Sequence, residues 1–127
     1  LGIKRAIKLT VSAPFHCSLM NKAAEDIQRF IYDLEILSPE LILINNVDAI
    51  TLTEPIKIKE SLIKQISKTV RWRESIQKMN DLGVENFIEL GAGNVLSGLV
   101  KRINKTVETV SIQNTKDIEN YINTLEG

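Results

Sequence analysis

The second half of the chain switches repeatedly between strand-like and helix-like hydrophobic periods, and this alternation restricts its folds. Asn86 to Leu90 (Asn-Phe-Ile-Glu-Leu) reads as a strand. Gly91-Ala92-Gly93 then turns the chain into a helix carrying Val95, Leu96, Leu99, Val100 and Ile103. Val107 to Ser111 reads as a second strand. Asn114, with Asp117 three positions later, resembles a capping pair for a last helix bearing Ile118, Tyr121, Ile122 and Leu125. Helices alternating with short apolar strands predict an α/β fold, with a mostly parallel sheet covered on both faces.

The first half fits the same scheme less evenly. Arg5 to Val11 alternate loosely and read as a strand, which Pro14 stops because proline donates nothing to a ladder. The strand leads into an extended loop, Ser12-Ala13-Pro14-Phe15, so it is expected to belong to a different sheet and to cross into the main body near His16. Met20, Ala23, Ala24, Ile27, Ile31 and Leu34 recur at helical spacing, and Ser38-Pro39 breaks that segment off. Leu41 to Ile44 is a continuous apolar run, the signature of a strand buried on both faces. Thr51 to Thr53 fits another short strand. Thr53 is the expected N-cap of a helix that buries Ile58, Leu62, Ile63 and Ile66. Trp72, Ile76 and Met79 define the next helix, with Gly83 as its stop.

Composition excludes several function classes. The 127 residues carry 16 basic and 16 acidic side chains, one His and one Cys. Zero net charge gives no nucleic-acid footprint and no polybasic membrane anchor. One His and one Cys are too few for a closed zinc site, and one Cys makes no internal disulfide, which fits a reducing compartment. No apolar run approaches the roughly 18 residues of a spanning helix. Leu1-Gly2-Ile3-Lys4-Arg5 has no apolar signal-peptide core and no initiator Met, as in a processed chain or a fragment.

Few side chains offer chemistry. His16 lies between a strand end and a helix start, where side chains commonly line clefts, and imidazole is the usual general base. A helix-capping or core histidine fits the same position. Cys17 is expected to be a small buried residue, since neighbouring side chains diverge at a helix start and free Cys is commonly buried. Gly91-Ala92-Gly93 fits an anion cradle or a tight turn. The turn is favoured, because Leu96 stands where a dinucleotide motif needs glycine and no Walker lysine follows. Spacing leaves Gln65 as a surface neighbour of Lys64, the default, or an inward polar group; Trp72 reads as a core anchor, and Asn45 and Asn46 fit turn formers, the cheaper reading, or active-site amides. No nucleophile elbow and no paired metal-ligand motif is present.

Several blocks taken together resemble one family. Val11-Ser12-Ala13-Pro14-Phe15-His16-Cys17-Ser18-Leu19-Met20 is similar to the histidine segment of bacterial malonyl-CoA:acyl carrier protein transacylases. Asn45-Asn46-Val47 resembles a strand-end segment of that family. Ile63-Lys64-Gln65-Ile66 and Val70-Arg71-Trp72 resemble its glutamine helix and the start of the next. Glu89-Leu90-Gly91-Ala92-Gly93-Asn94-Val95-Leu96, then Lys101-Arg102-Ile103, resemble its E-[IL]-G-P-G-x-V-L and K-R-I block. Ala92 replaces the usual proline and Asn94 a common lysine. The blocks keep the family's order and cover nearly all of the chain.

The resemblance implies the C-terminal part of an α/β-hydrolase-like acyltransferase domain. Residues 1–12 would be the last strand of an inserted ferredoxin-like subdomain, and residues 13–127 would return to the large domain. It implies transfer of malonyl from coenzyme A, through a seryl ester, to the phosphopantetheine thiol of acyl carrier protein in fatty-acid synthesis. Malonyl-CoA is then a substrate, and no cofactor or metal is bound. His16 matches the general base, Gln65 the residue whose backbone carbonyl orients it, and Phe15 a side chain narrowing the acyl pocket in favour of malonyl. The nucleophilic serine would lie in a missing N-terminal part of the same enzyme, so this chain alone would be inactive. Location is expected to be cytoplasmic, with no nucleic-acid or membrane partner. The alternatives are a non-catalytic interaction module that kept the fold, or a piece of a polyketide-type acyltransferase.

Overall fold

In a computed structural model, the structure describes residues 13–125. The expected strand Arg5–Val11 lies outside them. The chain divides into two compact units, Leu1–Arg71 and Trp72–Gly127.

The first unit is mainly helical. A 3₁₀ turn, Ser18–Met20, leads into α1 (Asn21–Asp33), which packs against α2 (Pro55–Ser67). Of the expected α1 stripe only Ala24 and Ile31 are buried; Ile27 is 42% and Leu34 53% exposed. Lys59 of α2 donates to the Tyr32 carbonyl at 2.7 Å. This places a cation on the last turn of α1, where unpaired carbonyls gather partial negative charge.

Between the helices, β1 (Leu43–Ile44) pairs antiparallel with β2 (Thr51–Leu52). This corrects the buried strand expected at Leu41–Ile44. Leu41 is 84% and Ile42 66% exposed, because the ladder extends over only two residues and nothing among the described residues covers the rest. The N-cap of α2 is Glu54, not Thr53, and no side-chain bond closes it. Pro55 at the first helical position needs none for its own absent N–H and brings a pre-set φ.

The second unit is one helix followed by the βαβα segment read from the sequence. It comprises α3 (Trp72–Asp81), β3 (Asn86–Leu90), α4 (Val95–Ile103), β4 (Glu108–Ile112) and α5 (Thr115–Leu125). Strands β3 and β4 pair in parallel, with Asn86 opposite Glu108 and Leu90 opposite Ile112. Ile76, Val100 and Val107 form the core, and Trp72, Met79, Phe87 and Ile103 pack against it. Gly83 (φ 83°) ends α3 as expected: its N–H reaches the Asn80 carbonyl at 2.9 Å, and that of Val84 the Met79 carbonyl at 3.1 Å. This is the Schellman pattern, which needs a left-handed residue. Asn114 Oδ1 accepts from Asp117 N at 3.2 Å, while Asp117 Oδ2 accepts from Gln113 N at 2.9 Å. That is the capping pair read from the sequence.

The mostly parallel sheet covered on both faces is not what the described residues build. They form two separate strand pairs, one antiparallel and one parallel. Along β3, Phe87 and Glu89 are half-buried while Ile88 and Leu90 are 44% and 76% exposed. The apolar run therefore alternates between a covered and an open face, because no further described strand or helix covers the second face of β3.

Candidate active site around His16

The loop before α1 is tightly turned. Phe15 N donates to the Ala13 carbonyl at 3.0 Å, and His16 follows with φ 58°. That left-handed value is uncommon for a residue with a side chain. Cys17 returns to extended backbone (φ −142°), and the Cys17 carbonyl accepts from Met20 N at 3.0 Å, opening the 3₁₀ turn. His16 is exposed, Phe15 is 61% exposed, and Cys17 is half-buried instead of fully buried as expected. The thiol donates to the Pro14 carbonyl at 3.2 Å, a polar partner that an exposed turn provides.

His16 Nδ1 lies 2.7 Å from the backbone carbonyl oxygen of Gln65, 49 positions along the chain. A carbonyl only accepts, so Nδ1 carries the proton. In the neutral ring this leaves the Nε2 lone pair as the proton acceptor. Helix α2 ends at Ser67, so the Gln65 carbonyl is one of its last four and has no intrahelical donor. It also carries part of the negative end of the helix dipole. Among the described residues no nucleophile is hydrogen-bonded to Nε2.

A polar network stands beside the end of α2. Asn45 is 6% exposed. Asn45 Oδ1 accepts from Ile50 N at 3.1 Å, and Asn45 Nδ2 donates to Ser61 Oγ at 2.8 Å. Asp48 pairs with Lys64, and its carbonyl accepts from Arg71 Nη1 at 3.1 Å. The Lys64 hydrogen bond lowers the Asp48 carboxyl from its ordinary range, helped by Asn45 and by the charges of Lys64 and Arg71. Asn45 therefore serves the turn, as the turn-former reading expects.

In the second unit, Gly91 (φ 138°) and Gly93 (φ 88°) form a tight turn between β3 and α4. Gly93 N is taken by Gln113 Oε1 at 2.9 Å. The N-terminus of α4 is also occupied: the Glu89 carboxylate accepts from Leu96 N at 3.0 Å and Ser97 N at 2.7 Å. These bonds, that to Ser97 N foremost, hold the Glu89 carboxyl below its ordinary range. The protein thus supplies its own anion, and an external one would have to displace it. The capping role of Glu89 escaped sequence analysis because that residue lies on a strand, outside the usual capping window. A carboxylate two residues before a glycine turn and a helix was the available signal.

Among the described residues, no group of three or more His, Cys, Asp or Glu side chains is gathered for a metal. No described helix is long and apolar enough to cross a membrane. The Trp72 ring packs on the core of the second unit, as a core anchor should.

No family model matches the chain. It is 45% identical over 125 residues to the malonyl CoA-acyl carrier protein transacylase of Bacillus subtilis, covering 98% of this chain and 39% of that protein. Among solved structures it is similar to an acyl carrier protein S-malonyltransferase from Vibrio cholerae, with TM-score 0.85 and 44% identity over 93% of this chain and 39% of that one. A malonyl-transacylase solved in complex with a type II PKS acyl-carrier protein matches with TM-score 0.86 and 33% identity, over 95% of this chain and 39% of that one. The chain spans about two-fifths of the length of the curated relatives it matches. By sequence and by fold, then, it is a homologue of part of the malonyl CoA-acyl carrier protein transacylases.

Proposed function

We propose that this chain is the C-terminal, histidine-bearing portion of a malonyl-CoA:acyl carrier protein transacylase. The observation that carries the reading is the His16 Nδ1 contact to the Gln65 carbonyl at a helix end, which leaves Nε2 as a base. The nucleophilic serine belongs to the remaining portion of the enzyme. In the first half-reaction Nε2 takes the serine hydroxyl proton as the oxygen attacks the malonyl thioester carbonyl. The tetrahedral intermediate collapses, the C–S bond breaks, and the imidazolium returns the proton to the departing coenzyme A thiolate. The second half runs in reverse, with the phosphopantetheine thiol of acyl carrier protein as nucleophile. A dipolar carbonyl stabilises the imidazolium less than a carboxylate would, but fixes the same tautomer. Phe15 narrows the acyl pocket, and excluding one methyl branch is worth about 1–3 kcal/mol.

The finer architecture belongs to the same proposal. Residues 13–127 complete an α/β-hydrolase-like domain. The enzyme is cytoplasmic and uses malonyl-CoA as substrate without a bound cofactor. A carrier from a type II polyketide system is the second reading, favoured by the carrier bound to one relative.

The test uses the enzyme that contains this chain. His16→Ala is expected to lower malonyl transfer by about 10²–10⁴, the usual worth of a general base. Gln65→Ala is expected to be mild, because the contact is to backbone. Near-normal transfer by a folded His16→Ala variant removes His16 from the mechanism. Parallel assays with fatty-acid and polyketide carriers separate the two readings. The chain alone is expected to acquire no malonyl ester from malonyl-CoA by intact mass.

A further inference from the structure

A base that depends on one backbone carbonyl is only as well oriented as the helix end carrying that carbonyl. The end of α2 is held from both directions by one turn, residues 45–50. Ser61 and Gln65 are four residues apart and share a helix face. Asn45 Nδ2 grips Ser61 Oγ at 2.8 Å, one turn below the Gln65 carbonyl. Asp48 grips Lys64, the residue next to Gln65. Beyond the helix, Arg71 N donates to the Asn46 carbonyl at 2.7 Å and Arg71 Nη1 to the Asp48 carbonyl at 3.1 Å. The turn itself is closed by its own backbone. Asn45 N donates to the Ile50 carbonyl at 3.2 Å, Ala49 N to the Asn45 carbonyl at 3.2 Å, and Ala49 sits at φ 57°. The Asn45 side chain joins the two systems, since its Oδ1 takes Ile50 N while its Nδ2 holds Ser61.

We infer that Asn45 is a positioning residue: through Ser61 it holds the end of α2 so that the Gln65 carbonyl fixes the Nδ1–H tautomer of His16. The inference rests on the reading of His16 as the base oriented by Gln65. Asn45 touches no reacting atom. It acts through a buried amide whose acceptor and donor are both used, and a buried polar group keeps its geometry because losing a partner is costly. A displacement of about half an ångström at the Gln65 carbonyl would carry the contact toward the long limit of a good hydrogen bond.

His16 is the only histidine among the 127 residues, so its ring nitrogens can be read by NMR without ambiguity. The full chain is examined above the ordinary imidazole range, with the same chain unfolded in urea as the reference for an unoriented ring. The parent is expected to favour Nδ1–H relative to that reference. Asn45→Ala is expected to lower the Nδ1–H to Nε2–H ratio about fivefold, the equilibrium worth of one net hydrogen bond, with backbone amide dispersion retained. If Asn45→Ala does not fold, Ser61→Ala carries the test, since it leaves Asn45 its bond to Ile50 and is expected to move the ratio in the same direction. A folded variant with the parent's ratio overturns the role of Asn45 and leaves the His16–Gln65 contact standing. A parent with no Nδ1–H preference overturns the contact itself, and the inference with it.

Discussion

Ile76→Ala puts the packing of the second unit to a quantitative test. Ile76 is 1% exposed, at the centre of a cluster with Val100 and Val107, flanked by Trp72, Met79, Phe87 and Ile103. Truncation removes three buried carbons, about 2.4 kcal/mol at roughly 0.8 kcal/mol each. The cavity left among residues from two helices and the sheet cannot close fully, which raises the cost to about 3–4 kcal/mol. At roughly 0.05–0.15 kcal/mol per residue, the unit Trp72–Gly127 has only about 3–8 kcal/mol to lose. The assay is urea unfolding followed by the fluorescence of Trp72, the only tryptophan and a neighbour of the deleted side chain. The parent is expected to show a cooperative transition and Ile76→Ala one shifted by that amount, or emission already unfolded in buffer. Ile122→Ala, at a position 46% exposed on α5, is the control and is expected to shift by less than about 1 kcal/mol. An Ile76→Ala transition within about 0.5 kcal/mol of the parent, the usual range for a surface change, would refute this account of the core.

Gly83→Ala is expected to cost about 1 kcal/mol by the same fluorescence assay, from the backbone alone, since a Cβ there meets nothing within 4 Å but must sit at φ 83°. An unchanged midpoint would sink the Schellman assignment. For Glu89→Gln the pH dependence is the readout. The carboxyl of Glu89 is held below its ordinary range in the folded chain, so its stabilisation is present above the unfolded value and lost as pH falls through the folded one. The difference in melting temperature between parent and Glu89→Gln is therefore expected to be widest near neutrality and to close on acidification. A difference independent of pH would mean that the charge does not cap α4.

How much was legible divides along the range of the interaction. Gly83, the Asn114–Asp117 pair and the strand Asn86–Leu90 were readable because each is settled within a few residues, by backbone sterics, a local cap or a short period. The apolar run at Leu41–Ile44 misled because hydrophobicity records what a strand needs, not what covers it, and Leu41 and Ile42 stay exposed. The half-buried Cys17 differed from expectation for a similar reason: its surroundings come from a turn whose polar carbonyl no composition rule anticipates.

The site shows the same division more sharply. Sequence by itself picked out His16, through its place between elements and the resemblance of its flanking residues, and it determined the αβαβα order of the second unit. It could not derive from spacing that a carbonyl 49 residues away meets the imidazole, because a backbone acceptor has no side-chain signature. Nor could it foresee Glu89 capping α4 or Asn45 gripping Ser61, which link residues on different elements. Those contacts exist only once helices and turns have packed. Local sterics and periodicity select the elements, whereas the orientation of a base depends on hydrogen bonds between them, and those only the tertiary structure decides.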